Sequence, residues 1–247
     1  RFGRLSERMT ATTEADRLYQ EGRLADAIGV LGKALKADPA DVRSRTFLFE
    51  LLCFSGAYER AGKQLAALAT ADADAVISTA WYQEALRAQA QRQEMFETGQ
   101  LPDAADGGKV SGSLNGNPFQ DLRDADPRIG TRLEAIVGGR YTWIPFRHLV
   151  RVEIKPPSRL RDLFWAPATI ETTEELARYS GDILLPVVTP FAWRHSDEAV
   201  RLGRVTEWIE LEDEVVVPEG QKLWLVDGED LPILEVRSLE IAATSGT

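Results

Sequence analysis

The residue types that carry most enzymatic and metal-binding chemistry are scarce in this chain of 247 residues. It has one cysteine, Cys53, and two histidines, His148 and His195. Neither histidine stands at zinc-ligand spacing from another histidine or a cysteine, and Cys53 lies far along the chain from both, which disfavours a Cys–His nucleophile pair. Cys53 lies in an apolar context and is predicted to be a small buried core residue. We expect both histidines to be structural.

Three carboxylates stand close together at Asp121, Asp124 and Asp126, and such a cluster could bind a cation. The calcium-loop pattern also requires a glycine and a distal glutamate at fixed steps, and both are missing here. Pro127 directly follows Asp126, which is the order of an N-cap and the first residue of a helix. We therefore predict that Asp126 caps a helix, and we expect neither a metal nor another cofactor.

Glycine-rich stretches occur at Ser111–Ser113 and Gly138–Arg140. Neither continues into a phosphate-binding loop or completes a dinucleotide fingerprint, and no Gly-x-Ser-x-Gly nucleophile motif is found. These patterns give no support to catalysis. We expect a protein that is not an enzyme.

One enzymatic alternative stays open. The C-terminal half could be a hydrolase or a small-ligand-binding domain, with a helical targeting module in front of it. That alternative requires Asp124, Asp126, Arg140 and His148 to converge in one deep pocket. A third alternative is a structural scaffold without a selective partner.

The elements that would position a site begin with an internal repeat of 34 residues near the N-terminus. The segment that begins at Gly22 recurs 34 residues later, beginning at Gly56, with small and apolar residues at the same offsets. The matched pairs are Gly22 and Gly56, Ala27 and Ala61, and Leu31 and Leu65. This period and pattern are typical of tetratricopeptide units, each of which is a helical hairpin that buries its apolar face only by stacking on a neighbour.

The repeat predicts two helical hairpins, over Thr12–Ala37 and Asp41–Ala69, with Asp41 as an N-cap between them. A third helix, over Ala75–Thr98, lacks a turn glycine at the repeat position and is predicted to be one long helix that closes the stack. Glycines, prolines and asparagines then mark a linker over 100–117. We therefore place a tetratricopeptide-like domain at 1–99 and a second domain at 118–247.

The second domain combines a helix with many short strands, which indicates an α+β fold with a mostly antiparallel sheet. A helix is predicted over Arg128–Val137, ended by two glycines. A short helix is predicted over Glu198–Gly203, and Asp227–Gly228 is predicted to form a hairpin turn. The predicted strands are Tyr141–Phe146, Leu149–Ile154, Leu163–Ile170, Ile183–Thr189, Val205–Leu211, Val215–Val217, Lys222–Val226 and Leu231–Leu239.

The formal net charge of −10 is concentrated at the C-terminal end, because residues 205–247 have 11 acidic and 2 basic side chains. This balance disfavours nucleic acid as a partner. Residues 140–161 form a counter-strip with six basic residues and one acid. The strip either neutralises the acidic segment within the fold or binds an acidic partner. No run of about 18 apolar residues predicts a membrane span. The lone cysteine fits a reducing compartment, and the first residue, Arg1, leaves open whether the N-terminus is complete.

Several motifs of the chain resemble the ImpE/TagJ family of type VI secretion accessory proteins. They are Phe47–Cys53, the Asp124–Gly130 pattern Asp-Ala-Asp-x-Arg-x-Gly, Leu133–Phe146 with its Gly-Arg-Tyr-x-Trp core, Leu160–Ala168 and Leu234–Arg237. They follow one another in order over nearly the whole chain.

The resemblance implies a non-enzymatic, cytoplasmic bacterial adaptor with a tetratricopeptide-like N-terminal part and an α+β C-terminal part. It further implies binding to the N-terminal helix of the sheath subunit TssB, and a role in sheath assembly or in its disassembly by the ATPase ClpV. The family carries no catalytic residues over to this sequence.

The expected mechanism is capture of an amphipathic helix in the concave groove of the hairpins. Repeat offsets assign groove-facing positions to the first helix of each hairpin and to the long third helix. The predicted partner-binding residues are Tyr19, Arg43, Glu50, Phe54, Ile77, Glu84 and Arg87. Phe54 and Ile77 could instead be core residues of the stack, and the basic strip of the second domain could hold the partner.

Overall fold

The structure is a computed structural model that describes residues 2–71, 76–102, 108–211 and 214–242, with backbone alone at 2–10, 71 and 76–78. The N-terminal part of this described chain is helical. Its helices are α1 (Phe2–Gln20), α2 (Leu24–Ala37), α3 (Val42–Phe54), α4 (Tyr58–Ala71) and α5 (Val76–Thr98). The predicted pair of hairpins and the single long helix after them are confirmed.

Both predicted hairpin corners are present. Gly22 joins α1 to α2 with φ +79°, and Gly56 joins α3 to α4 with φ +71°, a left-handed backbone that glycine adopts without steric cost. The side chain of Asp41 caps α3 by accepting hydrogen bonds from the backbone N–H groups of Arg43 and Ser44. The glycine repeat and the cap therefore fix the hairpin boundaries as predicted.

The C-terminal part is dominated by strands, with one short helix, α6 (Glu198–Arg201). The strands are β1 (Gly112–Leu114), β2 (Asn117–Phe119), β3 (Leu122–Asp124), β4 (Arg132–Val137), β5 (Arg140–Pro145), β6 (Leu149–Ile154), β7 (Trp165–Thr172), β8 (Gly181–Pro186), β9 (Thr206–Glu210), β10 (Val216–Gly220), β11 (Leu223–Val226), β12 (Glu229–Pro232) and β13 (Ser238–Ile241). The predicted α+β class is confirmed.

The main sheet has eight strands in the order β2-β1-β13-β6-β7-β8-β4-β5, and every neighbouring pair is antiparallel. Two smaller sheets pair β9 with β10, and β11 with both β3 and β12. The predicted turn at Asp227–Gly228 joins β11 to β12, and both residues have positive φ.

The helix predicted over Arg128–Val137 is wrong, because residues 132–137 form strand β4. β4 lies between β5 and β8, and side chains on both of its faces are buried. A strand buried on both faces lacks the alternation that would distinguish it from a buried helix. Asp126 is not a helix cap. It begins a tight turn, in which its carboxylate accepts the N–H of Arg128 and its carbonyl accepts the N–H of Ile129.

Two further predictions need correction. The single strand predicted over Leu231–Leu239 is divided into β12 and β13, which belong to different sheets and are separated by a 3₁₀ turn at Ile233–Glu235. The linker predicted over 100–117 includes β1, which pairs with β13 in the main sheet. Three-residue strands of this kind are too short to give a periodic signal.

The helical part and the sheet share one hydrophobic core. The ring of Phe54 on α3 meets Phe164 edge-on at 5.2 Å, and Tyr82 on α5 lies 6.3 Å from Trp165. The sheet domain thus packs against the side of the stack formed by α3 and α5. This arrangement determines which part of the helical surface is left for a partner.

Candidate functional site

The concave surface of the helical hairpins is largely covered by the chain's own C-terminal part. Phe54, predicted to anchor a partner, is about 1% exposed and packs against Phe164. Phe54 is therefore a core residue, which is the alternative that the sequence left open, and its side chain is not free to anchor a partner. Repeat offsets give the direction of a side chain along a helix, and they carry no information about what lies opposite.

Glu50 is likewise held inside the molecule. Its carboxylate accepts a hydrogen bond from Arg161 Nη1 at 2.9 Å, and the Arg161 guanidinium lies 4.9 Å from the ring of Tyr82. Burial raises the pKa of Glu50 above its usual value and outweighs the opposing effect of Arg161. The pair therefore joins α3 to the sheet domain at the edge of the space that stays open.

The open space is a groove along α1 and α3. One recess of about 560 Å³ lies between these two helices, and a second of about 510 Å³ continues it to the C-terminal part. The recesses share Asp16 and Phe47, and we call them together the α1–α3 groove. Its lining residues are Thr12, Thr13, Asp16, Tyr19, Gln20, Val42, Arg43, Thr46, Phe47, Glu50, Leu160, Leu163, Leu202, Gly203, Arg204 and Leu234.

The groove has an apolar floor and a charged rim. Phe47, Leu160, Leu163 and Leu234 are half-buried, so part of each apolar side chain faces the open space. The exposed charged residues at the rim are Asp16, Arg43 and Arg204. This combination suits an amphipathic helix, which needs apolar contact along one stripe and polar partners beside it.

Tyr19 is buried at the wall of the groove. Its ring meets Phe47 edge-on at 6.3 Å, and the Arg204 guanidinium stacks over the ring at 4.7 Å. Arg204 also donates hydrogen bonds to the carbonyls of Tyr19 at 2.6 Å and Gln20 at 2.9 Å. These are the last carbonyls of α1, where a cation is favoured. Arg204 therefore fixes this wall from the C-terminal part of the chain.

Three of the seven predicted partner-binding residues, Tyr19, Arg43 and Glu50, line the α1–α3 groove. Glu84 and Arg87 pair with each other on α5, and Arg87 lines a separate recess of about 350 Å³ between α4 and α5. The side chain of Ile77 lies outside the described residues.

Sequence reasoning missed the part of the groove that the second domain supplies. Leu160, Leu163, Leu202, Arg204 and Leu234 come from two 3₁₀ turns and the residues after α6. These positions have no periodic pattern, and the sequence signals for them are the family motifs Leu160–Ala168 and Leu234–Arg237. Long-range packing brings them to the helices.

The residues of the enzymatic alternative are held in different surroundings. Asp124 belongs to a buried ion cluster, and Asp126 pairs with Arg128 at 2.6 Å. Arg140 is exposed at the turn between β4 and β5, and His148 is half-buried beside the 3₁₀ helix that follows β7. None of these residues lines the recesses described above. Among the recesses described above, none therefore brings the four residues of the alternative together.

The buried ion cluster was not predicted. Glu134 on β4 accepts hydrogen bonds from Arg92 Nε at 2.8 Å and Nη2 at 3.1 Å, and it also pairs with Lys222. Lys222 pairs in addition with Asp124, and Arg92 donates to the carbonyl of Val188 at 2.9 Å. These charged side chains are at most 2% exposed. The cluster joins α5 to the sheet domain.

The two carboxylates of this cluster have opposite pKa shifts. Burial raises the pKa of Asp124 to about 7, against the attraction of Lys222. Burial would also raise the pKa of Glu134, but the charges of Arg92 and Lys222 outweigh it and hold that pKa well below the usual range. A perturbed pKa marks a catalytic candidate only in an accessible cleft, and this cluster is enclosed.

Across the ranges that the structure describes, no group of three or more His, Cys, Asp or Glu side chains is placed to hold a metal ion. Within the same ranges, no helix has the length and hydropathy to cross a membrane.

Comparisons with known proteins agree with this architecture. The family model described as ImpE protein matches residues 116–240, and a tetratricopeptide repeat model matches residues 18–90. A Pseudomonas aeruginosa protein named type VI secretion system accessory component TagJ is 32% identical over 278 aligned positions, covering 98% of this chain and 96% of that protein. A crystal structure of a Vibrio parahaemolyticus protein shares the fold, with a TM-score of 0.82 at 23% identity, over 94% of this chain and 98% of the other. The chain therefore belongs to the ImpE family.

Proposed function

We propose that this protein is a non-enzymatic accessory component of a bacterial type VI secretion system and acts in the cytoplasm. The support is the TagJ relative, which is similar over nearly the full length of both chains. We further propose that it binds the N-terminal helix of the sheath subunit TssB and so modulates sheath assembly or ClpV-driven disassembly. The single observation that carries the binding part is the α1–α3 groove, an open apolar trough left beside the occupied concave surface.

The groove can select a helix by contact and by charge. Phe47 and the leucines at 160, 163 and 234 offer apolar contact to leucine-like side chains spaced three and four residues apart. Asp16 on α1 and Arg43 on α3 have opposite charge on facing walls of the same recess. A bound helix with an acid toward Arg43 and a base toward Asp16 therefore has one preferred orientation.

The test is capture of purified TssB, and of TssB without its N-terminal helix, by the intact protein and by groove variants. Val42→Asp and Arg43→Glu change exposed side chains of the groove in the first turn of α3, so we expect both variants to fold. We expect the protein to capture intact TssB and not to capture the truncated form. Each variant is expected to weaken binding by about tenfold, which corresponds to about 1.4 kcal/mol.

Two matched substitutions act as controls for these variants. Val150→Asp changes another exposed valine, on β6, and Arg60→Glu reverses an exposed arginine on α4, and neither residue lines the groove. Both controls are expected to bind TssB like the unmodified protein. Equal capture of full-length and truncated TssB would reject helix binding, and equal binding by Val42→Asp and the controls would reject the groove as its place.

A further inference from the structure

A second surface for interaction is the outer edge of the small sheet formed by β9 and β10. β10 is the inner strand, with Val217 and Pro218 buried, whereas Glu207, Trp208 and Glu210 of β9 are exposed. Among the strands that the structure describes, β10 is the only one paired with β9. The other long edge of β9 therefore has no strand partner among the described residues, and an unpaired edge is a template for another strand.

The pairing register shows which backbone groups face this open edge. Leu211 donates its N–H to the carbonyl of Val215, and Gln221 donates to that of Val205, so the odd-numbered residues of β9 bond to β10. Trp208 lies opposite Pro218, which has no N–H to donate and fits a non-hydrogen-bonded pair. The N–H and C=O groups of the even-numbered residues, at 206, 208 and 210, consequently point outward.

An apolar patch lies on one face of the same edge. Trp208 is 45% exposed, and Val216, its diagonal neighbour on β10, is 47% exposed. An exposed tryptophan on a sheet edge is costly to leave in water and is among the residues that contribute most to interfaces. Because it stands beside the outward backbone groups, a strand added to β9 would cover both at once.

The charge of the segment that carries β9 and β10 indicates the kind of partner. The described residues 205–211 and 214–221 contain four acidic side chains and no lysine or arginine. Glu207 and Glu210 flank Trp208 on β9, and Glu207 lies directly opposite Glu219 on β10. Facing carboxylates repel each other, and His195 Nε2 lies 3.4 Å from Glu207 Oε2 on this face. A further positive charge beside the exposed Glu207 is therefore favoured.

We propose that β9 accepts an extended, lysine- or arginine-rich segment of a partner protein by strand addition. The added backbone bonds to residues 206, 208 and 210, and an apolar or guanidinium side chain covers Trp208 on one face. On the other face, basic side chains pair with Glu207. This surface goes beyond the proposed function, because no residue of β9 lines the α1–α3 groove.

Titration calorimetry with the full-length protein and a synthetic peptide of alternating valine and lysine tests the proposal. We expect binding that weakens as salt is added, and a rise in Kd of about tenfold for Trp208→Ala. Trp81→Ala is the matched control, since Trp81 on α5 is 46% exposed and lies outside the hairpin. It is expected to bind the peptide normally.

A second peptide, N-methylated at alternate backbone positions, separates strand addition from charge attraction alone. It keeps every charge but cannot complete the hydrogen-bonded ladder, so we expect its binding to be lost. Absence of binding by the unmodified peptide, equal binding by the methylated one, or equal binding by Trp208→Ala would each overturn the proposal. Self-association of the protein that Trp208→Ala abolishes would also overturn it, since the occupant would then be a second copy.

Discussion

At the scale of single residues, the strongest constraint is the buried ion cluster of Arg92, Glu134, Lys222 and Asp124. Glu134 is the only group there that contacts both cations, and Tyr141 also donates its hydroxyl hydrogen to it. Charges removed from water are stabilised only while their partners are present. The cluster therefore holds α5 against the sheet in one register, and its members are sensitive to any change of charge.

Replacing Glu134 with glutamine is expected to lower the free energy of unfolding by about 3–5 kcal/mol, because two buried cations lose their counter-charge. Urea denaturation followed by circular dichroism measures the change. Glu153→Gln is the control, since Glu153 pairs with Arg151 at 2.7 Å on the exposed surface of β6. That substitution is expected to cost less than about 1 kcal/mol. Equal losses for both would show that the cluster has no special role.

Asp124 is expected to give stability a pH dependence of unusual sign. Its pKa is about 7 in the folded protein and about 3.9 in an unfolded chain, so the folded state binds the proton more tightly. Its contribution is full below about pH 4 and is lost as the pH rises through about 7. Relative to Asp124→Asn, the unmodified protein should therefore gain stability as the pH falls from 8 to 5. A difference that is constant over this range would contradict the raised pKa.

At the scale of elements, the two hairpin corners look equivalent in sequence but differ in their surroundings. Gly22 has open space where a Cβ would be, whereas a Cβ at Gly56 would lie 2.5 Å from Trp193 Cδ2. The second corner therefore needs glycine for its backbone and also for the close approach of the sheet domain. At the first corner, the C-terminal part instead caps the two helix ends. Glu198 accepts a hydrogen bond from the N–H of Leu24, and Arg204 donates one to the carbonyl of Tyr19 at the end of α1.

Alanine substitution at the two corners separates these requirements. Gly22→Ala is expected to cost about 1–2 kcal/mol from the left-handed backbone alone. Gly56→Ala is expected to cost about 1–3 kcal/mol more, because the Cβ overlaps Trp193. Thermal and urea unfolding of both variants provide the comparison. The extra cost should disappear when Gly56→Ala is made in a Trp193→Ala background, and its persistence there would show that the contact is not its cause.

The elements also show how far sequence reasoning reaches. The helices of the hairpins, the Asp41 cap and strands such as Leu149–Ile154 follow from local pattern, since each element displays its own periodicity or cap. The sequence pattern wrongly predicts a helix at β4, because neighbouring elements bury both faces of this strand. The sequence pattern does not predict β1 and β2, because each strand has only three residues. Their extended form depends on pairing, of β1 with β13 and of β2 with β1.

At the scale of the whole molecule, the packing of the sheet domain against the helical hairpins determines where the site lies. The helical hairpins predict a concave binding surface, but contacts such as Phe54 with Phe164 show that the sheet domain fills most of it. The residues at the α1 end of that surface, Tyr19 and Arg43, were predictable from repeat offsets. The leucines and Arg204 opposite them were not, since they depend on contacts between residues more than 100 positions apart.

Hydrogen–deuterium exchange of the protein, alone and saturated with a peptide of the TssB N-terminal helix, tests the central claim most directly. Helix capture in the α1–α3 groove predicts slower exchange in residues 12–20, 42–50 and 160–163, with α4 and β9 unchanged. Protection confined to the recess between α4 and α5, or to the sheet domain away from Leu160–Leu163, would contradict it.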